Sequence, residues 1–229
     1  MPPPLFDEKL VQQHLDRAQG NLSAHDVLFN EAAQALSDRL ADVNRSFISV
    51  RDLSPFPFLK ETAPLEESHY DLIVSNLALH WVNALSETLA SIRALLKPEG
   101  LFLGSLIGGE SLKELRACLM EAELSVTGGV SPRISPMIDL SSASRLMQHA
   151  GFHLPVVDSD SLTLTYPDLF ALMRDLRGMG QSNALTERLR RPTPRAVFLE
   201  ADRLYRARFC NSSGRISARF DIVYLHGWG

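Results

Sequence analysis

Apolar residues along the chain change their period several times, and each change marks an element. Residues 7–18 and 24–42 read as helices: Val27, Leu28, Ala32, Ala35, Leu36 and Leu40 recur near helical spacing, and Asp7 and Glu8 suit a first turn. Phe47, Ile48 and Val50 then begin a short apolar run, followed by SPFPFLKETAPLEES. Pro55, Pro57 and Pro64 exclude a regular helix or a central strand there, so this stretch is loop. YDLIVS (70–75) and LFLGSLI (101–107) are continuous apolar runs of the kind that fills strands buried on both faces. Between them, 84–96 is a helix with Leu85, Leu89, Ile92 and Leu96 on one face, stopped by Lys97, Pro98, Glu99 and Gly100, where the glycine is expected to take the turn. Strand, helix and strand in this order predict a right-handed parallel crossover.

Further along, helices are predicted at 110–124, in SASRLMQHAGF, at 167–178 and at 195–209. LPVVDSDSLTLTY gives one or two strands, and ISARFDIVYLHGW a long final one. The fold class is therefore α/β, a doubly wound, mostly parallel sheet, with a helical excursion inserted before the last strand. One domain over 1–229 is expected: N-terminal helices 1–44, sheet core 45–166, helical insertion 167–212 and last strand 213–229. The polar stretch GMGQSNAL after the 167–178 helix reads as a mobile lid.

Composition narrows the function classes. The 229 residues are 45% hydrophobic and 22% charged, with net charge −4, ordinary for a globular chain and without the basic bias of a nucleic-acid binder. Arg188, Arg190, Arg191 and Arg195 form only a local basic run, read as a solvated loop. Cys118 and Cys210 are isolated, which fits neither a disulfide framework nor a zinc site. No apolar run is long enough to span a membrane. The opening MPPPLFDEKL has the form of neither a signal nor a transit peptide. Walker loops, nucleophile elbows and metal clusters are absent from the sequence pattern, so no metal is expected. The H-x-D triplets at His14 and His69 lack a second histidine ligand.

YDLIVSNLALHWVNALSETLASIRALLKPEGLFLGSL (70–106) resembles the fourth-strand to fifth-strand unit of class I S-adenosylmethionine-dependent methyltransferases, down to the A-L-H-W loop and the L-K-P-E-G helix stop. GGESLKELRACLMEAE, GGVSPRISPMIDL, YPDLFALMRDLRGMGQSNAL and ARFDIVYLHGW resemble one branch of that family. It comprises bacterial methyltransferase-like proteins akin to a mitochondrial complex I assembly factor described as an arginine hydroxylase. The resemblance implies two functions. One is S-adenosylmethionine-dependent methyl transfer to an unidentified small-molecule or protein acceptor. The other is assembly work on a respiratory-complex subunit, by arginine hydroxylation or without the cofactor. It implies the cytoplasm for a bacterial protein and the mitochondrial matrix for a eukaryotic one.

The resemblance also places site residues. Asp52 falls on the motif's acidic position, and Ser75, Asn76, Leu77, His80 and Trp81 follow the carboxyl edge of the 70–75 strand, where open α/β sheets bind ligands. These six are the cofactor-binding candidates, and His80 is also the catalytic one, as a base. Gly108 and Gly109 are substrate-binding candidates that allow close approach, and Arg133 and Arg174 are candidates to hold a carboxylate or phosphate. One departure is large. Ser54, Pro55 and Phe56 stand where the family has a glycine loop, and the helix and second strand that follow it have no counterpart. Either the chain has lost that unit, or 45–69 joins segments that are separate in the natural chain.

Overall fold

The computed structural model describes residues 3–59 and 69–229. The expected loop through 60–68, with Pro64, lies outside the described residues. Two compact units emerge, one of Met1–Asp26, Glu110–Pro136 and Ser161–Phe220, the other of Val27–Gly109, Met137–Asp160 and Asp221–Gly229.

The second unit carries the expected strand–helix–strand core. Strand β1 (Val50–Asp52) lies parallel to β2 (Tyr70–Ser75), and β2 parallel to β3 (Leu96–Gly108). Helix α3 (Leu85–Leu95) makes the crossover. Both apolar runs are buried as predicted: all of Leu101–Gly108 is inaccessible, and of β2 only Asp71 is partly exposed. Glu99, and not Gly100, carries the left-handed turn after the helix, with φ 61°. On one side of the sheet α3 and α5 (Leu140–His149) bury Leu89, Ile92 and Met147 against Tyr70, Ile73, Phe102 and Val223, and Phe152 stacks on Phe102 at 5.5 Å. Helix α2 (Val27–Ala41) buries Leu28, Phe29, Ala32 and Leu36.

β4 (His153–Tyr166) is one continuous strand, and β5 (Ile216–Trp228) runs antiparallel to β3, with Ser105 opposite Tyr224. The strand order is β1-β2-β3-β5-β4. The sheet is thus mostly parallel on one side, and the sequence between its last two strands forms helices, as the pattern predicts. Tyr224 is buried, with the guanidinium of Arg39 3.8 Å above its ring.

The first unit is helical: α1 (Glu8–Gln19), α4 (Lys113–Thr127), α6 (Leu169–Gly178) and α7 (Arg195–Phe209). Asp7 and Asp168 cap α1 and α6 by accepting the N–H groups of Leu10 and Ala171. Helices α4 and α7 bury Leu115, Leu119, Val197, Ala201 and Tyr205, and the Tyr205 hydroxyl donates to the Ser217 carbonyl at 2.8 Å. Helix α4 starts three residues later than predicted, because Leu112 takes a left-handed φ of 55°.

The expected lid is instead pinned. Met179, Ala184 and Leu185 are buried, the Asp7 N–H donates to the Ala184 carbonyl at 2.9 Å, and the Thr186 N–H donates to the Leu5 carbonyl at 2.9 Å. Backbone pairing of this kind converts a polar-looking stretch into fixed structure. Arg188, from the basic run, pairs with Asp7 at 3.2 Å.

Candidate functional site

Asp52, Ser75, Asn76 and Leu77 come together at the carboxyl edge of β1 and β2. Asp52 ends β1 opposite Val74, and Ser75 ends β2 opposite Gly104. Sequence order alone places them there, because parallel neighbours bring their ends to one edge.

What the four residues do at that edge differs from expectation. Asp52 is only 7% exposed, and its own loop occupies its carboxylate. Oδ1 accepts the Ser54 N–H at 2.8 Å, and Oδ2 accepts those of Phe58 and Leu59 at 3.0 and 3.2 Å. A carboxylate has about four lone-pair positions, so no two-point face is left for a ribose diol. The Ser54 hydroxyl accepts the Asn76 N–H at 2.8 Å. Asn76 is spent in the same way: its Nδ2 donates to the Phe29 carbonyl at 3.0 Å, and its Oδ1 accepts the Ser105 hydroxyl at 2.8 Å. Leu77 is fully buried with φ 50°, and its N–H donates to both the Ser105 carbonyl and hydroxyl at 3.0 Å. Ser75 is wholly inaccessible. The Phe56 ring meets Phe29 edge-on at 5.0 Å. The edge is therefore closed by a polar network running from the β1 loop through β2 to β3 and α2. Ser54, which the sequence places only as a replacement in the glycine loop, and Ser105, to which the sequence draws no attention, complete it. A buried serine on a strand, like Ser105, looks like any small strand residue in the sequence.

These side chains do not fit S-adenosylmethionine in the expected manner. The acidic acceptor is largely taken up by its own loop, proline and phenylalanine replace the glycines, and Asn76 and Leu77 face inward. His80 and Trp81 are partly exposed on the short turn Leu79–Trp81, with their rings 5.3 Å apart, so they are the candidates of this group that reach solvent.

Gly108 and Gly109 are covered by the chain itself. A Cβ on Gly108 would lie 2.8 Å from the Ile138 carbonyl. Gly109, at φ +57°, would place one 2.6 Å from Asp221 Oδ2, and its N–H donates to the Ile138 carbonyl at 2.8 Å. These glycines admit neighbouring protein, not a ligand. Arg133 clamps a carboxylate, but an internal one: its Nε and Nη2 hold Glu123 at 2.9 and 2.7 Å. Ser131 adds its hydroxyl and N–H to the same carboxylate. With the Arg133 guanidinium foremost, these donors hold the Glu123 carboxyl at about 2. Arg174 stands on α6, exposed, on the wall of a cleft in the first unit. Beside it Asp175 meets His25 and Tyr166, both at 2.6 Å.

Against known proteins, residues 11–155 match the model of a methyltransferase domain. The chain is 37% identical over 219 residues to the mitochondrial arginine-hydroxylase NDUFAF5 of Mus musculus, covering 95% of this chain and 60% of that one. It is 32% identical over 197 residues to a malonyl-[acyl-carrier protein] O-methyltransferase of Methylovorus, covering 86% of this chain and 62% of that protein. In structure it is similar to a Bacillus halodurans protein provisionally described as a methyltransferase, with a TM-score of 0.50 at 11% identity over 84% of this chain and 97% of that one. The chain belongs to the methyltransferase-domain family, and its sheet is the class I, Rossmann-like one. It spans about 60% of the length of the curated relatives it matches. Among the described residues no helix is long and apolar enough to cross a membrane.

Proposed function

We propose that this methyltransferase-family chain acts on a protein partner, a subunit of respiratory complex I, in the manner of the relatives named arginine-hydroxylase, and does not bind S-adenosylmethionine through its β1–β2 edge. The closed carboxylate of Asp52 carries this reading. Three backbone N–H groups of its own loop occupy three of its about four lone-pair positions, and the backbone N–H and side-chain amide of the neighbouring Asn76 are hydrogen-bonded. A cofactor arriving there would compete with these six hydrogen bonds between buried and part-buried groups, each worth roughly 0.5–3 kcal/mol. The identity to NDUFAF5, held over 95% of the chain, supports a protein acceptor. The mitochondrial name of that relative supports the matrix as the compartment in a eukaryotic cell.

The test is mass spectrometry of complex I subunits from cells with and without the gene. One arginine that carries an added oxygen only when the gene is present supports the reading. Unchanged subunits, or a methyl group that disappears instead, would contradict it. The match to the malonyl-[acyl-carrier protein] O-methyltransferase favours a second reading, methyl transfer to a carboxylate. That activity needs the cofactor, and binding of the cofactor separates the two.

A further inference from the structure

The first unit contains a cleft of about 640 Å³, within the usual size of small-molecule sites. Among the described residues, Arg17, Arg174, Arg177 and Arg215 line it, with a single carboxylate, Asp175. That carboxylate does not neutralise them. Its Oδ1 holds His25 Nδ1 at 2.6 Å, and its Oδ2 accepts the Tyr166 hydroxyl at 2.6 Å. The His25 ring packs against the α-carbon of Gly178, where any Cβ would collide with it, so the His25–Asp175–Tyr166 wall is tightly built. Arg215 is fixed on Thr165, its Nε 3.1 Å from the hydroxyl and its Nη2 2.6 Å from the carbonyl. The side chains of Arg174 and Arg177 form no hydrogen bond or ion pair with the described residues.

Positions 174 and 177 lie three apart on α6, so both side chains leave the same helix face. Burial foremost, and then the like charge of Arg177, lower the pKa of Arg17, so like charges gather in the cleft. Such a gathering is unfavourable by itself and becomes favourable when an anion fills it. The planar guanidinium fork suits oxyanions, taking two oxygens of a phosphate or carboxylate at once.

We propose that this cleft binds a small oxyanion, a phosphate- or carboxylate-bearing molecule, held by Arg174 and Arg177 against the His25–Asp175–Tyr166 wall. The proposal is independent of what the β1–β2 edge holds. The test is calorimetry on the full chain at fixed ionic strength, with pyrophosphate in one arm and citrate in the other. At least one probe is expected to bind saturably, at one site per chain. Pyrophosphate alone assigns a phosphate ligand, citrate alone a carboxylate, and both a site that reads oxyanion charge. Arg174→Ala and Arg177→Ala are each expected to weaken binding about tenfold, the loss of one charge-assisted hydrogen bond. Both should leave the thermal melt unchanged, because neither side chain has a partner to lose. Arg191→Ala, outside the cleft, should leave affinity unchanged. Absence of saturable heat with both probes, or equal weakening by Arg191→Ala, would overturn the proposal.

Discussion

The carboxylate of Asp52 accepts the backbone N–H of Phe58 at 3.0 Å, six residues further along the chain. With the Ser54 and Leu59 N–H groups on the same side chain, this bond folds the β1 loop back onto the end of its own strand. Asp52 is therefore an organiser of the loop. Replacing it with Ala leaves three N–H groups without their acceptor. The expected loss is about 2–4 kcal/mol of unfolding free energy, read as a lower urea midpoint at unchanged slope. An Asp52→Ala protein as stable as the wild type would remove Asp52 from this structural role.

Much of the fold was legible before the structure. Tyr70–Ser75 and Leu101–Ile107 read as strands buried on both faces because nothing polar interrupts their apolar side chains beyond Asp71, Ser75 and Ser105. The intervening helix declared itself by its period. The site was legible only as far as placement. Sequence order put Asp52 and Ser75–Leu77 at one sheet edge, but no period reveals that Ser54 and Ser105, 51 positions apart, meet Asn76 there from two sides. The partner of Asp175 was invisible for the same reason, since His25 lies 150 positions away. The pinned segment around Ala184 misled because its sequence is polar while its fixity comes from backbone bonds, which composition does not record.

The Arg133–Glu123 pair predicts a pH dependence. In the folded chain the Glu123 carboxyl titrates at about 2, against an ordinary value of 4.5. A depressed carboxyl stabilises the fold fully above its unfolded value, and that stabilisation is lost as pH falls from about 4.5 towards 2. At the burial of this side chain the contribution is on the order of 3 kcal/mol. Urea unfolding of the wild type and Arg133→Met across pH 7 to 3 checks it. The variant is expected to be less stable at pH 7, and the difference should narrow as the pH falls. A difference independent of pH would contradict the assignment.

Gly109 provides a steric test. Its φ of +57° and the 2.6 Å approach of Asp221 to a Cβ leave no room for a side chain. Gly109→Ala is expected to lower stability by about 1–3 kcal/mol, measured by thermal melt. If Gly109 instead lies open to a ligand, the melt stays within a degree or two of wild type.

His80 and Trp81 are the cofactor-side candidates that stay partly exposed at the carboxyl end of β2. Trp81 is only partly exposed, so Trp81→Ala removes packing as well as surface and is expected to cost about 1–3 kcal/mol of stability. If the pair touches a partner protein, the substitution lowers the yield of modified complex I subunit in cells by more than the accompanying loss of folded protein accounts for. Unaltered yield would release Trp81 from the site.

The central claim is that the β1–β2 edge is closed to the cofactor by Asp52 and Asn76. Calorimetric titration of the full chain with S-adenosylhomocysteine tests it most directly. The account predicts no saturable heat up to roughly 1 mM ligand, a binding free energy weaker than about −4 kcal/mol. Stoichiometric binding at micromolar affinity, weakened by Asp52→Ala, would contradict it.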